Sequence, residues 1–164
     1  MTAPRDEREG RPARLPRWGV GLPVSLLTLA WGGAAWAAHF LWYPTFAIEG
    51  TLRYVLAAWG GVLVLAGVPL YVWSLRVFRR AWRQGKLATT GPYARCRHPI
   101  YATWILLITP GVCLLIGSWL VLTTPLAMYA GTRLLVGREE RAMEARFGEA
   151  WRAYHQRTGR FWPQ

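Results

Sequence analysis

Apolar residues in this chain come in long runs broken by short polar stretches punctuated by glycine and proline, a pattern of membrane spans. The first run, from Trp18 to about Tyr43, contains no formally charged residue. At 1.5 Å per residue it is long enough to cross a hydrocarbon core of ~30 Å. A secretory leader is the alternative, since Ala35-Trp36-Ala37 resembles a cleavage site, but the apolar run continues past it to Trp42. The second run, Tyr54 to about Val77, is free of charge until Arg76 and ends in a basic cluster of Arg76, Arg79, Arg80, Arg83 and Lys86. Ile100 to Ile116 and Trp119 to Val136 are two more, separated only by Gly117-Ser118, which predicts a tight helical hairpin. Pro110-Gly111 inside the third run predicts a kink.

After the fourth run the period changes. Met143, Phe147, Trp151 and Tyr154 recur at helical spacing and define one face of an amphipathic helix, expected to lie at the membrane surface and to stop near Thr158-Gly159. The reading is thus an all-α polytopic helix bundle. It has a basic tail over 1–17 and a single membrane domain over 18–164. The expected spans are about 18–43, 54–77, 100–116 and 119–136, with a loop over 78–99 and an interfacial helix over 138–158.

If that last helix is continuous with the fourth span, ~100° per residue puts Glu140 near the middle of the apolar stripe and Arg133 on its edge. Glu139 falls at the margin, and Arg138 and Arg141 point away. A carboxylate facing apolar surroundings beside a bilayer is costly and calls for a protein-lined cavity and a partner. For Glu139 and Glu144 the alternative is a solvated face that balances nearby arginines.

Composition agrees with a membrane protein: 53% of residues are hydrophobic and eleven are Trp. The net charge of +12 changes the picture only through its placement, because the basic residues flank the apolar runs instead of lining one continuous face. No zinc, helix-turn-helix or RNA-binding motif is present, so the charge reads as topology and lipid contact, with no nucleic-acid partner. Arginine excess in the N-terminal tail, in the loop and after Arg133 predicts that both termini and the loop face the cytoplasm. Trp18, Trp42, Trp73, Trp82 and Trp119 fall near span ends, where amphipathic rings anchor. Cys96 and Cys113 have no spacing for a metal site or a disulfide framework, and no metal is expected. Gly32-Gly33 and Gly60-Gly61 would let helices approach closely.

Chemistry concentrates in the loop from Lys86 to Tyr101, KLATTGPYARCRHPIY. Gly91-Pro92 is a turn signal, and Pro99 fits a helix start because its missing N–H would be unpaired there. Arg97 and His98 then stand where an anionic group is favoured, although they could also simply hold the helix at the headgroups. With Glu139 and Glu140 they would supply donors for a carboxylate and acceptors for an ammonium, matching the amino-acid end of a cofactor.

These residues resemble a known family. Leu87-Ala88-Thr89-Thr90-Gly91-Pro92-Tyr93, then Arg97-His98-Pro99-Ile100-Tyr101, then Glu139-Glu140 and Phe147-Gly148 with Trp151 and Tyr154, are similar to the isoprenylcysteine carboxyl methyltransferase and phospholipid methyltransferase superfamily. The resemblance covers about the last half of the chain; a small residue, often glycine, two places after the motif tyrosine is Thr103 here. It implies a polytopic integral-membrane enzyme that binds S-adenosylmethionine on the cytoplasmic side, and a lipophilic or small methyl acceptor reached through the bilayer. By the same resemblance, cofactor contacts are expected at Lys86, Leu87, Ala88, Tyr93, His98, Pro99, Ile100, Tyr101, Glu139 and Glu140. Arg97, Tyr101 and Arg133 are the expected catalytic residues.

The implied reaction is direct displacement at a sulfonium methyl, which needs alignment and shielding more than a strong base. A carboxylate, thiol or amine acceptor is compatible with the sequence. Membrane lipids are the remaining expected partner. Two other readings stay open: a nicotinamide-dependent sterol-type reductase, and a non-catalytic four-span assembly protein. His39, deep in the first span, reads as a packing histidine.

Overall fold

The computed structural model describes residues 20–162. The basic tail and Trp18 lie outside the described residues. The described residues form six α-helices: α1 (Gly21–Leu41), α2 (Gly50–Arg83), α3 (Pro99–Thr103), α4 (Thr109–Ile116), α5 (Thr124–Phe147) and α6 (Glu149–Arg157). A π-helical turn, Trp104–Ile108, joins α3 to α4, so the third span is continuous from Pro99 to Ile116. The expected all-α membrane bundle is what is found, with no β-strand among the described residues.

Among the described residues, three helices are long and apolar enough to cross a membrane: α1, α2 and the α3–α4 span. The expected fourth span is only the first half of α5. A short 3-10 turn at Val121–Thr123 precedes it, and the helix then runs on past Val136 to Phe147. The expected loop also shrinks, because α2 continues through Arg76, Arg79 and Arg80 to Arg83. Nothing between Val77 and Arg83 breaks a helix, and basic residues suit a helix C-terminus.

The kink expected at Pro110-Gly111 takes the form of the π turn just before it. Pro110 has no N–H to offer the Leu106 carbonyl, and widening the preceding turn absorbs the ring without ending the helix.

α1 packs on α5, α5 on the α3–α4 span, and α2 on the far side of that span. Small residues set the spacing. A Cβ added to Gly60 would lie 2.7 Å from the Gly111 carbonyl oxygen, and one at Gly67 would lie 2.8 Å from Ile108 Cγ1. Gly32 meets the Thr124 side chain at 3.2 Å, while Gly33 and Gly61 meet nothing within 4 Å. The first glycine of each pair therefore serves packing inside the bundle: only a bare backbone fits at Gly60, and at Gly32 the Thr124 side chain would have to give way. Val24, Ile105 and Met128 fill the seam between α1, the third span and α5.

At the end of the bundle away from the Lys86–Tyr101 loop, the turn after α4 is held from two sides. The Ile48 N–H donates to the Gly117 carbonyl at 2.9 Å, and the Trp119 N–H donates to the Phe46 carbonyl at 3.0 Å. Arg53 Nη2 donates to the Leu115 carbonyl at 2.6 Å, placing a cation at the negative end of α4. Gly117 sits at φ +74, and a Cβ there would collide with the Arg53 guanidinium. Gly117→Ala is expected to cost about 1–2 kcal/mol for the left-handed backbone alone, and more through the displaced Arg53. Thermal unfolding of the detergent-solubilised protein would read this as a fall in Tm, whereas Gly33→Ala, at an open position inside α1, would not lower it.

The C-terminal helix departs most from expectation. Instead of one interfacial helix over 138–158, α5 ends at Phe147, Gly148 takes φ +54, and α6 starts in a new direction. It stops at Arg157, where the sequence placed the end. Trp151 and Tyr154, expected to face lipid, are each only 5% exposed and pack inside the protein. A phenol needs a hydrogen-bond acceptor when buried, and the loop supplies one: the Tyr154 hydroxyl donates to the Tyr93 carbonyl at 2.7 Å.

Candidate active site

The chain leaves α2 with the Lys86 N–H donating to the Ala81 carbonyl at 3.0 Å. It then passes through exposed Lys86 and half-buried Leu87 and Ala88 to a 3-10 turn at Gly91–Ala94. Gly91, at φ +60, opens that turn against the Trp73 ring, and Pro92 and Tyr93 are buried. Phe78 stacks between Trp82 and Tyr93, with ring centroids at 5.7 and 6.4 Å. The Arg146 guanidinium lies 4.1 Å over the Trp82 ring and joins the end of α5 to the end of α2.

The next residues are pinned from the C-terminus. The Arg97 N–H donates to the Gly159 carbonyl at 2.8 Å and the His98 N–H to the Arg160 carbonyl at 3.1 Å, a two-bond strap. Phe161 extends it into a cluster with Cys96, Ala102 and Val136. His98 then caps α3, accepting the Ala102 N–H at 2.9 Å, with Pro99 as the first helical residue.

Two carboxylates meet this framework in different ways. Glu140 is buried and saturated. Its Oε1 accepts from Arg97 Nε at 3.3 Å, His98 Nε2 at 3.2 Å and Arg160 Nε at 3.1 Å, and its Oε2 accepts from Arg160 Nη2 at 2.5 Å. Burial pushes this carboxyl up, but the hydrogen bonds and charges of His98 and Arg160 outweigh it and hold the group down at about 2. An ionised carboxylate only accepts, so His98 Nε2 carries the proton it donates. The rest of the Arg97 guanidinium donates to the His155 carbonyl at 2.9 Å and to the Thr158 carbonyl.

Glu139 is half-buried, about 100° further round α5. Its Oε2 accepts from the Tyr101 hydroxyl at 3.0 Å, and it makes no ion pair among the described residues. Burial, then Tyr154, then the Glu139 charge push the Tyr93 phenol above its usual range, so Tyr93, Tyr101 and Glu139 share one neighbourhood.

The structure therefore brings together Tyr93, His98, Pro99, Tyr101, Glu139 and Glu140 at one end of the bundle, with Arg97 behind them. Arg133 is exposed on α5 and makes no ion pair among the described residues. Arg160 is a member of the site that sequence reasoning missed. Its only signal was position, beside an aromatic pair just after the glycine that ends α6. A cavity of about 390 Å³ lies between α5 and α6, and Glu140 alone of the expected site residues lines it.

An all-helical membrane bundle with a charged, aromatic-walled site where its spans meet the polar loop has the form of a membrane-embedded enzyme. The isoprenylcysteine carboxyl methyltransferase (ICMT) family model matches residues 54–145, more than half of the chain, and the chain belongs to that family. It is a membrane methyltransferase. No curated protein and no solved structure matches the chain significantly.

Proposed function

We propose that this chain transfers the methyl group of S-adenosylmethionine to a lipophilic or small acceptor whose nucleophile is a carboxylate, a thiol or an amine. The observation that carries the reading is the Tyr101–Glu139 pair at 3.0 Å, a half-buried carboxylate with a hydroxyl partner and no cation beside it among the described residues. Such a group suits the ammonium of an amino-acid moiety. Glu140 does not, because four donor contacts already occupy its two oxygens. Its role is to fix His98 and the C-terminal strap.

The cofactor contacts we propose run along the chain from Lys86, Leu87 and Ala88 through Tyr93 to His98, Pro99, Ile100 and Tyr101, with Glu139 joined to Tyr101 by the hydroxyl contact. The cofactor would supply an electrophilic methyl on a sulfonium. The protein's part is to hold the ammonium at Glu139, wall the site with Tyr93 and Tyr101, and keep water from the reacting carbon. Tyr101 is the catalytic residue we retain. Arg97 is a positioning residue, since its guanidinium is engaged by Glu140 and by C-terminal carbonyls. Arg133 stands on a different face of α5 from Glu139. The exposed Arg76, Arg79, Arg80 and Arg83 at the loop end of α2 support a cytoplasmic loop and cytoplasmic termini.

Calorimetry with the detergent-solubilised protein tests this. Glu139→Gln is expected to weaken S-adenosylmethionine binding about 10- to 100-fold, as loss of a charge-assisted bond does. Tyr101→Phe is expected to weaken it by a smaller factor. Unchanged affinity in folded Glu139→Gln protein, or binding of NADPH in place of the sulfonium, would overturn the reading.

A further inference from the structure

The cavity between α5 and α6 lies on the opposite side of α5 from Tyr101 and Glu139. Gly137, Arg141 and Glu144 share one face of the helix and line the cavity. At ~100° per residue Glu139 points about 160° away from that face, counted from Gly137. The cavity is therefore separate from the path assigned to the cofactor.

Two features say what it faces. Leu134, two turns before Arg141 on nearly the same face, is 80% exposed, and a leucine this bare at the end of an apolar run stands in lipid. Arg141 follows about 10 Å further along the axis, at headgroup depth. Arg133, also exposed, lies one turn before Gly137 at a similar helical phase, outside the residues that line the cavity. By depth along α5, the cavity stands level with the headgroup layer.

The charges say what would enter. Three guanidiniums, from Arg141, Arg152 and Arg160, line the cavity against two carboxylates, and both carboxylates are already committed. Glu140 is held by Arg160, and Glu144 accepts from Arg152 Nε at 2.8 Å. Arg141 makes no ion pair among the described residues. His155 on α6 stands across from it in the same wall.

We propose that this cavity binds the phosphate of an anionic glycerophospholipid headgroup, with Arg141 as the cationic contact in its lining and exposed Arg133, one turn before Gly137, adding charge beside it. The site is independent of the methyl-transfer reading. It ties the junction of α5 and α6, and through Arg160 the strap, to the charge of the surrounding leaflet.

The test uses the full chain reconstituted in nanodiscs of phosphatidylcholine with a minor fraction of phosphatidylglycerol, followed by native mass spectrometry of the released protein. One phosphatidylglycerol per chain is expected to stay bound. The double variant Arg133→Gln/Arg141→Gln, shown folded by circular dichroism, is expected to retain about tenfold less. Arg79→Gln, an exposed basic residue on α2 at the same end, is expected to retain as much as the unaltered chain. Equal retention by the double variant would overturn the proposal, as would equal loss in Arg79→Gln, which would mean a diffuse surface charge. A third arm titrates inorganic phosphate into protein in phosphatidylcholine discs, where no binding below the millimolar range is expected. Tighter phosphate binding, lost in the double variant, would assign the site to a free anion and overturn the headgroup.

Discussion

Glu140→Ala is expected to destabilise the folded protein by about 3–5 kcal/mol and to free its C-terminus. The substitution strands the buried side chains of Arg97 and His98, and half-buried Arg160, without their acceptor, and breaking such a network from one side carries a cost of that order. The strap depends on the same groups, so limited proteolysis should cut the segment after Gly148 far faster than in the unaltered protein. Glu140→Gln keeps an acceptor oxygen and is expected to lose less. If Glu140→Ala left both Tm and proteolysis unchanged, the network would be ornamental.

The same carboxylate predicts a pH dependence with a definite sign. Its folded value of about 2 lies below the ordinary 4.5, so the folded state favours the ionised form. That stabilisation is fully present above about pH 4.5 and is lost as the pH falls toward 2, amounting to about 3 kcal/mol over the window. Unfolding followed between pH 6 and pH 3 should show this slope in the unaltered protein and a shallower one in Glu140→Gln.

Gly60→Val is the second substitution with a large expected effect. Even the first carbon of the new side chain would sit 2.7 Å from the Gly111 carbonyl oxygen and 3.0 Å from Leu114 Cβ. The first of these is backbone and cannot rotate away, so α2 must separate from α4. Overpacking costs about 1–3 kcal/mol where side chains can adjust, and a backbone collision belongs at or above the top of that range. Gly61→Val is the matched control, since nothing lies within 4 Å of its Cβ position. Thermal unfolding in the same detergent should separate the two neighbours clearly, and equal effects would mean that α2 does not pack on α4 through Gly60.

Much of this was legible in the sequence, for reasons that differ residue by residue. The three spans were readable because length and apolarity are one-dimensional properties, and so was the phase that buries Glu140, since α5 is continuous through it. The helix break at Gly148 was not readable. Met143, Phe147, Trp151 and Tyr154 keep a helical period across it, and a period cannot report a change of axis. The same blindness assigned Trp151 and Tyr154 to the bilayer. Apolar residues look alike whether lipid or protein covers them, and only the Tyr93 carbonyl waiting beneath α6 decides between the two.

The division of labour between Glu139 and Glu140 is the sharpest case. By itself the sequence determined that this is a helical membrane protein of the methyltransferase type, and it pointed to the Lys86–Tyr101 loop and to the adjacent carboxylates Glu139 and Glu140 as the candidates for its polar chemistry. Only the tertiary structure decided which carboxylate is free. Neighbours on a helix point about 100° apart, so one residue's difference sends Glu140 into a cage of Arg97, His98 and Arg160 and leaves Glu139 with a single hydroxyl. Arg160 reaches that cage from twenty residues further along the chain, a distance that folding closes and no local pattern records.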